Sequence, residues 1–314
     1  MKYRNLLFLL FICTNTLLGQ AQNKWIKFDW HGETIFGKYY PKVAISIPVK
    51  IENLPYNLCG QLDLGATTTM IYENSFKPFS QQYPLVIQKL DTTINPYYLN
   101  GRKSYFLKGL NMKLDKTTYR NRNIALIPDF GDEILIDSIN TKTQKLIGTI
   151  APDLFQGKIL VIDFVNNRLK TFDELPKQYS KANFVNVVIR KGRIKIPILI
   201  GDSIQYVMFD TGNCLGDLLF DKETIKQFTD LNEAPQEFLN GNTWGQSVTY
   251  YNKNLKKEVY LNNKRLNIKK VQFSDQDSDV QFNKEEKIIG LIGPVLFADK
   301  IVIIDYKNSK FGVL

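Results

Sequence analysis

The chain is predicted to be all-β, built as two homologous barrel-like lobes related by an approximate two-fold axis. Three observations carry this. Runs of five to eight Ile, Val, Leu, Phe and Tyr residues, bounded by Gly, Asn, Asp and Pro turns, dominate the sequence. The pattern occurs twice. Each copy ends an apolar strand in an Asp-x-Gly turn: Asp63-Leu64-Gly65 after Leu58 to Leu62, and Asp210-Thr211-Gly212 after Tyr206 to Phe209.

The repeat can be checked at three anchors. Ile45-Ser46-Ile47-Pro48-Val49 matches Ile194-Lys195-Ile196-Pro197-Ile198, an offset of 197 − 48 = 149. The Asp turns give 210 − 63 = 147. Ile147-Gly148-Thr149-Ile150 matches Ile289-Gly290-Leu291-Ile292, giving 290 − 148 = 142, so the offset drifts only by small deletions. Beyond these glycines Lys158-Ile159-Leu160-Val161-Ile162-Asp163 runs against Lys300-Ile301-Val302-Ile303-Ile304-Asp305, with about half of the positions identical.

Taken in order, residues 1–21 read as a secretory signal: Lys2 and Arg4 precede the apolar run Leu6 to Cys13, and Gly19 and Ala21 sit at −3 and −1 of a cleavage site. A retained N-terminal anchor is the alternative. The first lobe spans 22–175, with a strand Ile45 to Ile51, a connection Glu52 to Asn57, and a strand into Asp63. Polar Glu174 to Lys181, containing Pro176, marks the junction to a second lobe at 176–314. There Ile194 to Ile200, a Gly201-Asp202 turn and Ser203 to Asp210 form a hairpin. Helical signal is sparse: Asp221 to Leu231 has Ile225 and Phe228 three apart, and single turns are expected after Pro152 and Pro294.

No stretch beyond the leader is apolar enough to span a bilayer, so the mature protein is expected to be exported, periplasmic or secreted, with no integral membrane segment. Losing Lys2 and Arg4 lowers the formal charge from +10 to +8. The excess lies in Lys-rich loops without aromatic interleaving, so nucleic acid is not an expected partner. A solvated basic surface, with some attraction to an anionic envelope surface, is the better reading. Cys59 and Cys214 flank the two Asp turns, and either a bridge or two buried thiols fits the sequence.

His31 is the only histidine, which excludes Ser-His-Asp and Cys-His arrangements and a zinc site built on several histidines. The paired acids remain. Two carboxyls about 3 Å apart cannot both ionise, so one stays protonated and can donate while the other accepts a proton from water. No cofactor or metal is implied.

On the two Asp-x-Gly turns and the segments Leu146-Ile147-Gly148 and Ile288-Ile289-Gly290, the chain resembles the pepsin-like and retropepsin-like aspartic proteases, in the two-lobed form found in bacteria. The resemblance covers about residues 40 to 312 and implies a bilobal acid-protease fold, in which the glycine segments cross behind the Asp loops. It implies catalytic roles for Asp63 and Asp210, support from Gly65, Thr211, Gly212, Gly148 and Gly290, and a monomer acting on peptide or protein substrates. Asp163 and Asp305 match structural positions of the family. A flap hairpin is expected at Pro96 to Gly101 with Tyr98 over the substrate, and Phe238 to Gly241 is its counterpart in the second lobe. One position departs from the pattern. The family carries Thr or Ser after each Asp, whose hydroxyl bonds across to the other loop; Thr211 has that hydroxyl and Leu64 does not. The alternative function is therefore an inactive peptide-binding protein on the same scaffold.

Overall fold

The computed structural model describes residues 24–35 and 37–314, so the expected leader at 1–21 lies outside the described residues. Strands account for 49 % of the chain and helices for 14 %, which makes the class all-β, and the sheets are curled. Among the described residues the strands form three sheets.

Two of these sheets repeat each other. In the first half, six neighbouring strands run in the order Lys38–Ile51, Leu58–Leu62, Lys145–Ile150, Met70–Tyr72, Thr117–Ile127, Arg102–Leu114. In the second half the order is Arg193–Ile200, Ser203–Phe209, Gly290–Ile292, Leu218–Phe220, Lys270–Ser274, Gln246–Asn254. Successive pairs alternate antiparallel, parallel, antiparallel, parallel, antiparallel in both. Sequence similarity at three anchors thus extends to an identical sheet order over stretches where no similarity is visible.

The third sheet has six strands and draws on both halves: Ile26–Lys27, Arg168–Phe172, Ile159–Asp163, Ile301–Asp305, Lys310–Val313, Asn183–Asn186. Its order is a palindrome of repeat-related strands. At the centre Val161 pairs with Ile303 in an antiparallel ladder. Those two residues are equivalents in the repeat, since 303 − 161 = 142, so the local two-fold axis passes between them. Burial explains why this segment reads as an unbroken apolar run: Ile159, Leu160, Val161 and Ile162 are all buried, leaving no solvent face to demand alternation. Asp163 and Asp305, at the ends of the paired strands, cap their turns. Asp163 accepts from the Asn166 backbone at 3.1 Å, and Asp305 from Lys307 and Asn308 at 3.0 and 2.9 Å.

One continuous core joins the halves. It runs from Ile26 and Phe28 through Phe155 to Phe209, Phe297 and Phe311, with Phe209 edge-on to Phe311 at 5.2 Å between ring centroids. The expected hairpin around Gly201 is present, Ile200 pairing with Ser203, and 3-10 turns follow at Pro152–Leu154 and Pro294–Phe297. The helix expected over Asp221 to Leu231 is confined to Ile225–Phe228. Two longer helices, Glu73–Gln82 and Asp277–Glu286, were not expected from the pattern. No helix among the described residues is long and apolar enough to cross a membrane.

Candidate active site

Each Asp turn is fixed by its own glycine-bearing strand. The Asp63 N–H donates to the Ile150 carbonyl at 3.0 Å, and the Asp210 N–H to the Ile292 carbonyl at 3.0 Å. Behind the turns, Gly148 lies against Met70 and Ile71, and Gly290 against Leu219. A Cβ at Gly148 would stand 2.0 Å from the Met70 carbonyl oxygen, and one at Gly290 would stand 2.2 Å from that of Leu219. Backbone cannot yield as a side chain can, so both positions demand glycine. The four expected supporting glycines therefore do two jobs: Gly148 and Gly290 admit the crossing strand, and Gly65 and Gly212 admit the opposing acid.

That second job brings the carboxyls together. A Cβ at Gly65 would lie 2.5 Å from Asp210 Cγ, and a Cβ at Gly212 would lie 3.0 Å from Asp63 Cγ. Each acid thus packs on the bare Cα of the other loop, and a single point above Gly212 lies 3.1 Å from both Asp63 Oδ2 and Asp210 Oδ1, so the two carboxyls face each other. Asp63 Oδ1 accepts the N–H groups of Gly65 and Ala66 at 2.8 and 2.9 Å, while Asp210 Oδ1 accepts that of Gly212 at 2.8 Å.

The pair is not electrostatically symmetric. Burial first, and then the facing Asp210 carboxylate, push the Asp63 carboxyl well above its ordinary 3.8. Burial also raises Asp210, but the Gly212 N–H, the hydrogen bond from Asp63 and the Arg193 guanidinium pull against it. Asp63 is buried, whereas Asp210 keeps partial exposure to the space above it. Two buried acids facing each other share one proton, and the titration belongs to the pair.

Thr211 locks the loops from one side. Its hydroxyl accepts the Leu64 N–H at 2.9 Å and donates to the Leu62 carbonyl at 2.9 Å, so one side chain satisfies two backbone groups of the other half. Leu64 offers no hydroxyl for the mirror-image contact. Instead its side chain is fully buried in the main core. The missing hydroxyl is offset by apolar burial, and by a clamp absent from the sequence reading. Arg193 Nε donates to the Gly65 carbonyl at 2.6 Å, and Glu286 holds Arg193 Nη1 at 3.0 Å. Arg193 had a legible signal: it stands where the first copy has Ala44, and with Lys195 for Ser46 it is one of two basic departures in the matched strand.

The acids sit at the floor of a cleft of about 1190 Å³ lined by both halves. Tyr72 and Phe130 form one wall, their rings edge-on at 4.8 Å. Two hairpins meet above. The first, Tyr97–Leu99 with Arg102–Leu114, turns at Asn100-Gly101; the second, Gln236–Thr243 with Gln246–Asn254, turns at Trp244-Gly245. All four turn residues have positive φ, the signature of a two-residue turn that matches strand twist. Asn100 Nδ2 donates to the Trp244 carbonyl at 3.5 Å, and the Trp244 ring packs 6.2 Å from Phe130.

The hairpin positions correct two expectations. Tyr98 is 61 % exposed and does not line the cleft. Strand alternation turns the neighbouring Tyr97 inward, where its hydroxyl accepts from Thr67 of the Asp63 loop at 3.5 Å. The second hairpin turns at Trp244, three residues beyond Gly241, and Phe238 to Gly241 lie in its rising strand. Cys59 and Cys214 are buried free thiols.

No protein-family model matches the chain, and no curated protein shows a significant match to it. The function is therefore read from the site.

Proposed function

We propose that the chain is an exported aspartic endopeptidase with the bilobal pepsin-like fold, acting on extended peptide segments. The observation that carries the proposal is the juxtaposition of Asp63 and Asp210, each packed on the other loop's glycine at the floor of a cleft that both halves line. The identical six-strand order in the two halves supports the bilobal fold. A single chain supplies both acids, so no partner subunit is needed.

The proton inventory suits hydrolysis. Asp210, ionised, takes a proton from a water as its oxygen attacks the scissile carbonyl carbon, while Asp63 gives its proton to the carbonyl oxygen. The resulting diol returns a hydroxyl proton to Asp63 as Asp210 protonates the amide nitrogen and the C–N bond breaks. Both acids end as they began. The cleft's volume and the two hairpins fit a substrate held in extended form, with backbone hydrogen bonds supplying affinity.

The test is cleavage of a mixed peptide library by the mature protein across about pH 3 to 8. Asp63→Asn and Asp210→Asn should each fold and each lose cleavage by several orders of magnitude. Undiminished turnover by either variant removes that residue from the mechanism. The buried isobutyl group of Leu64 favours a second reading, a peptide-binding scaffold without turnover. Peptide binding by the wild type with no cuts anywhere in that range would select it.

A further inference from the structure

A second pocket, of about 610 Å³, is lined by strand Thr117–Ile127, by Leu154 to Lys158 and by Thr171 of the shared sheet, and shares no lining residue with the cleft. Lys24, Lys116, Arg120, Arg122 and Lys158 line it, and no carboxylate does. Lys158 is already paired with Asp173, which leaves four cations among the lining residues. Such a concentration of like charge is unfavourable unless an anion answers it.

Two buried donors on residues that line the pocket lack hydrogen-bond partners. The hydroxyl of Tyr119, a residue only 8 % exposed, is one, and buried Arg122 Nε is the other. They are neighbours, with the guanidinium 5.9 Å from the Tyr119 ring centroid. Asp153 is the acid near Arg122, but its Oδ1 is taken by the Thr69 N–H and hydroxyl at 2.9 and 2.6 Å. A register shift places the pair here. Between Leu110↔Arg122 and Met112↔Tyr119 the Thr117–Ile127 strand carries an extra residue, and Asn121 within it has φ 53°. Such a bulge re-aims side chains at a sheet surface.

We propose that this pocket binds a phosphate monoester, with Arg122 Nε and the Tyr119 hydroxyl donating to its oxygens and Lys116 and Arg120 balancing its charge. An arginine fork and a hydroxyl suit a tetrahedral oxyanion, and four cations suit a dianion better than a single carboxylate. The volume exceeds that of phosphate alone and leaves room for the attached organic group. That group belongs either to a free metabolite or to a lipid headgroup.

The test is calorimetric titration of the mature protein with inorganic phosphate and with glycerol phosphate at physiological salt, where diffuse surface attraction is screened. Saturable one-to-one binding is expected. Arg122→Gln should weaken it by about tenfold or more, and Tyr119→Phe, which keeps the ring, by about threefold. Lys257→Gln, an exposed cation elsewhere, should leave it unchanged, and equal melting temperatures establish that the variants fold. Arg122-dependent sedimentation with phosphatidic acid vesicles but not phosphatidylcholine vesicles would identify the headgroup source; phosphate binding without sedimentation would identify a soluble ligand. Absence of saturable binding, or equal weakening by Lys257→Gln, overturns the proposal. Vesicle binding indifferent to Arg122→Gln overturns it as well. None of these outcomes bears on the Asp63 and Asp210 reading.

Discussion

Asp63 and Asp210 contribute to the pH dependence of stability as well as to the proposed chemistry. Both hold protons more tightly in the folded protein than in the unfolded chain, whose value is near 3.8. Their contribution to stability is therefore complete below that value and is lost as pH rises through the raised folded values. An Asn at position 63 carries no charge at any pH and so never opposes the Asp210 carboxylate. Asp63→Asn should melt above wild type at neutral pH, by roughly 2 to 4 °C for each kcal/mol of relieved strain, with the gap closing towards about pH 4. Thermal melts at the two pH values check this, and a gap of constant size would contradict a buried, proton-sharing pair. At this scale the sequence was legible where chemistry forced a residue type, as with the two acids and the four glycines. It marked Arg193 only as a departure from the repeat and was silent on its partner Glu286, because clamps between the halves depend on distance in space, which a linear pattern does not carry.

Among elements, the paired hairpins are the parts whose motion matters. Their tips touch through Asn100 and Trp244, and Trp244 enters a first-half cluster with Ala66, Met70 and Tyr72. In the proposed peptidase, parting of these tips widens the way into the cleft for an extended substrate. Trp244→Ala removes an aromatic contact worth about 0.5 to 1.5 kcal/mol beyond its buried area. It should speed amide exchange in both hairpins by about three- to tenfold. Exchange that accelerates in the second hairpin alone would mean that the tips do not hold each other. The strands of these hairpins follow from alternation and turn residues, but the two long helices do not follow from any apolar stripe. Glu73–Gln82 contains Pro78, and only Phe76, Phe79 and two small neighbours are buried along it. Asp277–Glu286 buries polar residues instead: Asn283, which donates to Asp221 Oδ2 at 2.7 Å, and Glu286, which meets Arg193 and Lys195. Periodicity of hydrophobicity cannot register a face that packs through hydrogen bonds and ion pairs.

For the whole molecule, the palindromic sheet and the continuous core make the halves one cooperative unit. Strand Ile159–Asp163 has its ladder partner Ile301–Asp305 in the other half, so unfolding either half strips the other of a central strand. Calorimetry should give one transition with matching calorimetric and van't Hoff enthalpies. Two resolved transitions would show that the shared sheet does not couple the halves. The repeat itself was legible at its anchors, whereas the pairing of Val161 with Ile303 was not, since register between distant strands is decided by packing.

That pairing has a consequence for how the site can change. A single half, meeting an identical copy across Val161, would close the same sheet as a homodimer, and any mutation in its acid loop would then appear on both sides at once. Joined in one polypeptide, the loops vary independently. Leucine at 64 opposite threonine at 211 is an asymmetry that only the covalent fusion permits: one loop keeps the hydroxyl latch for both, and the other is released to become core.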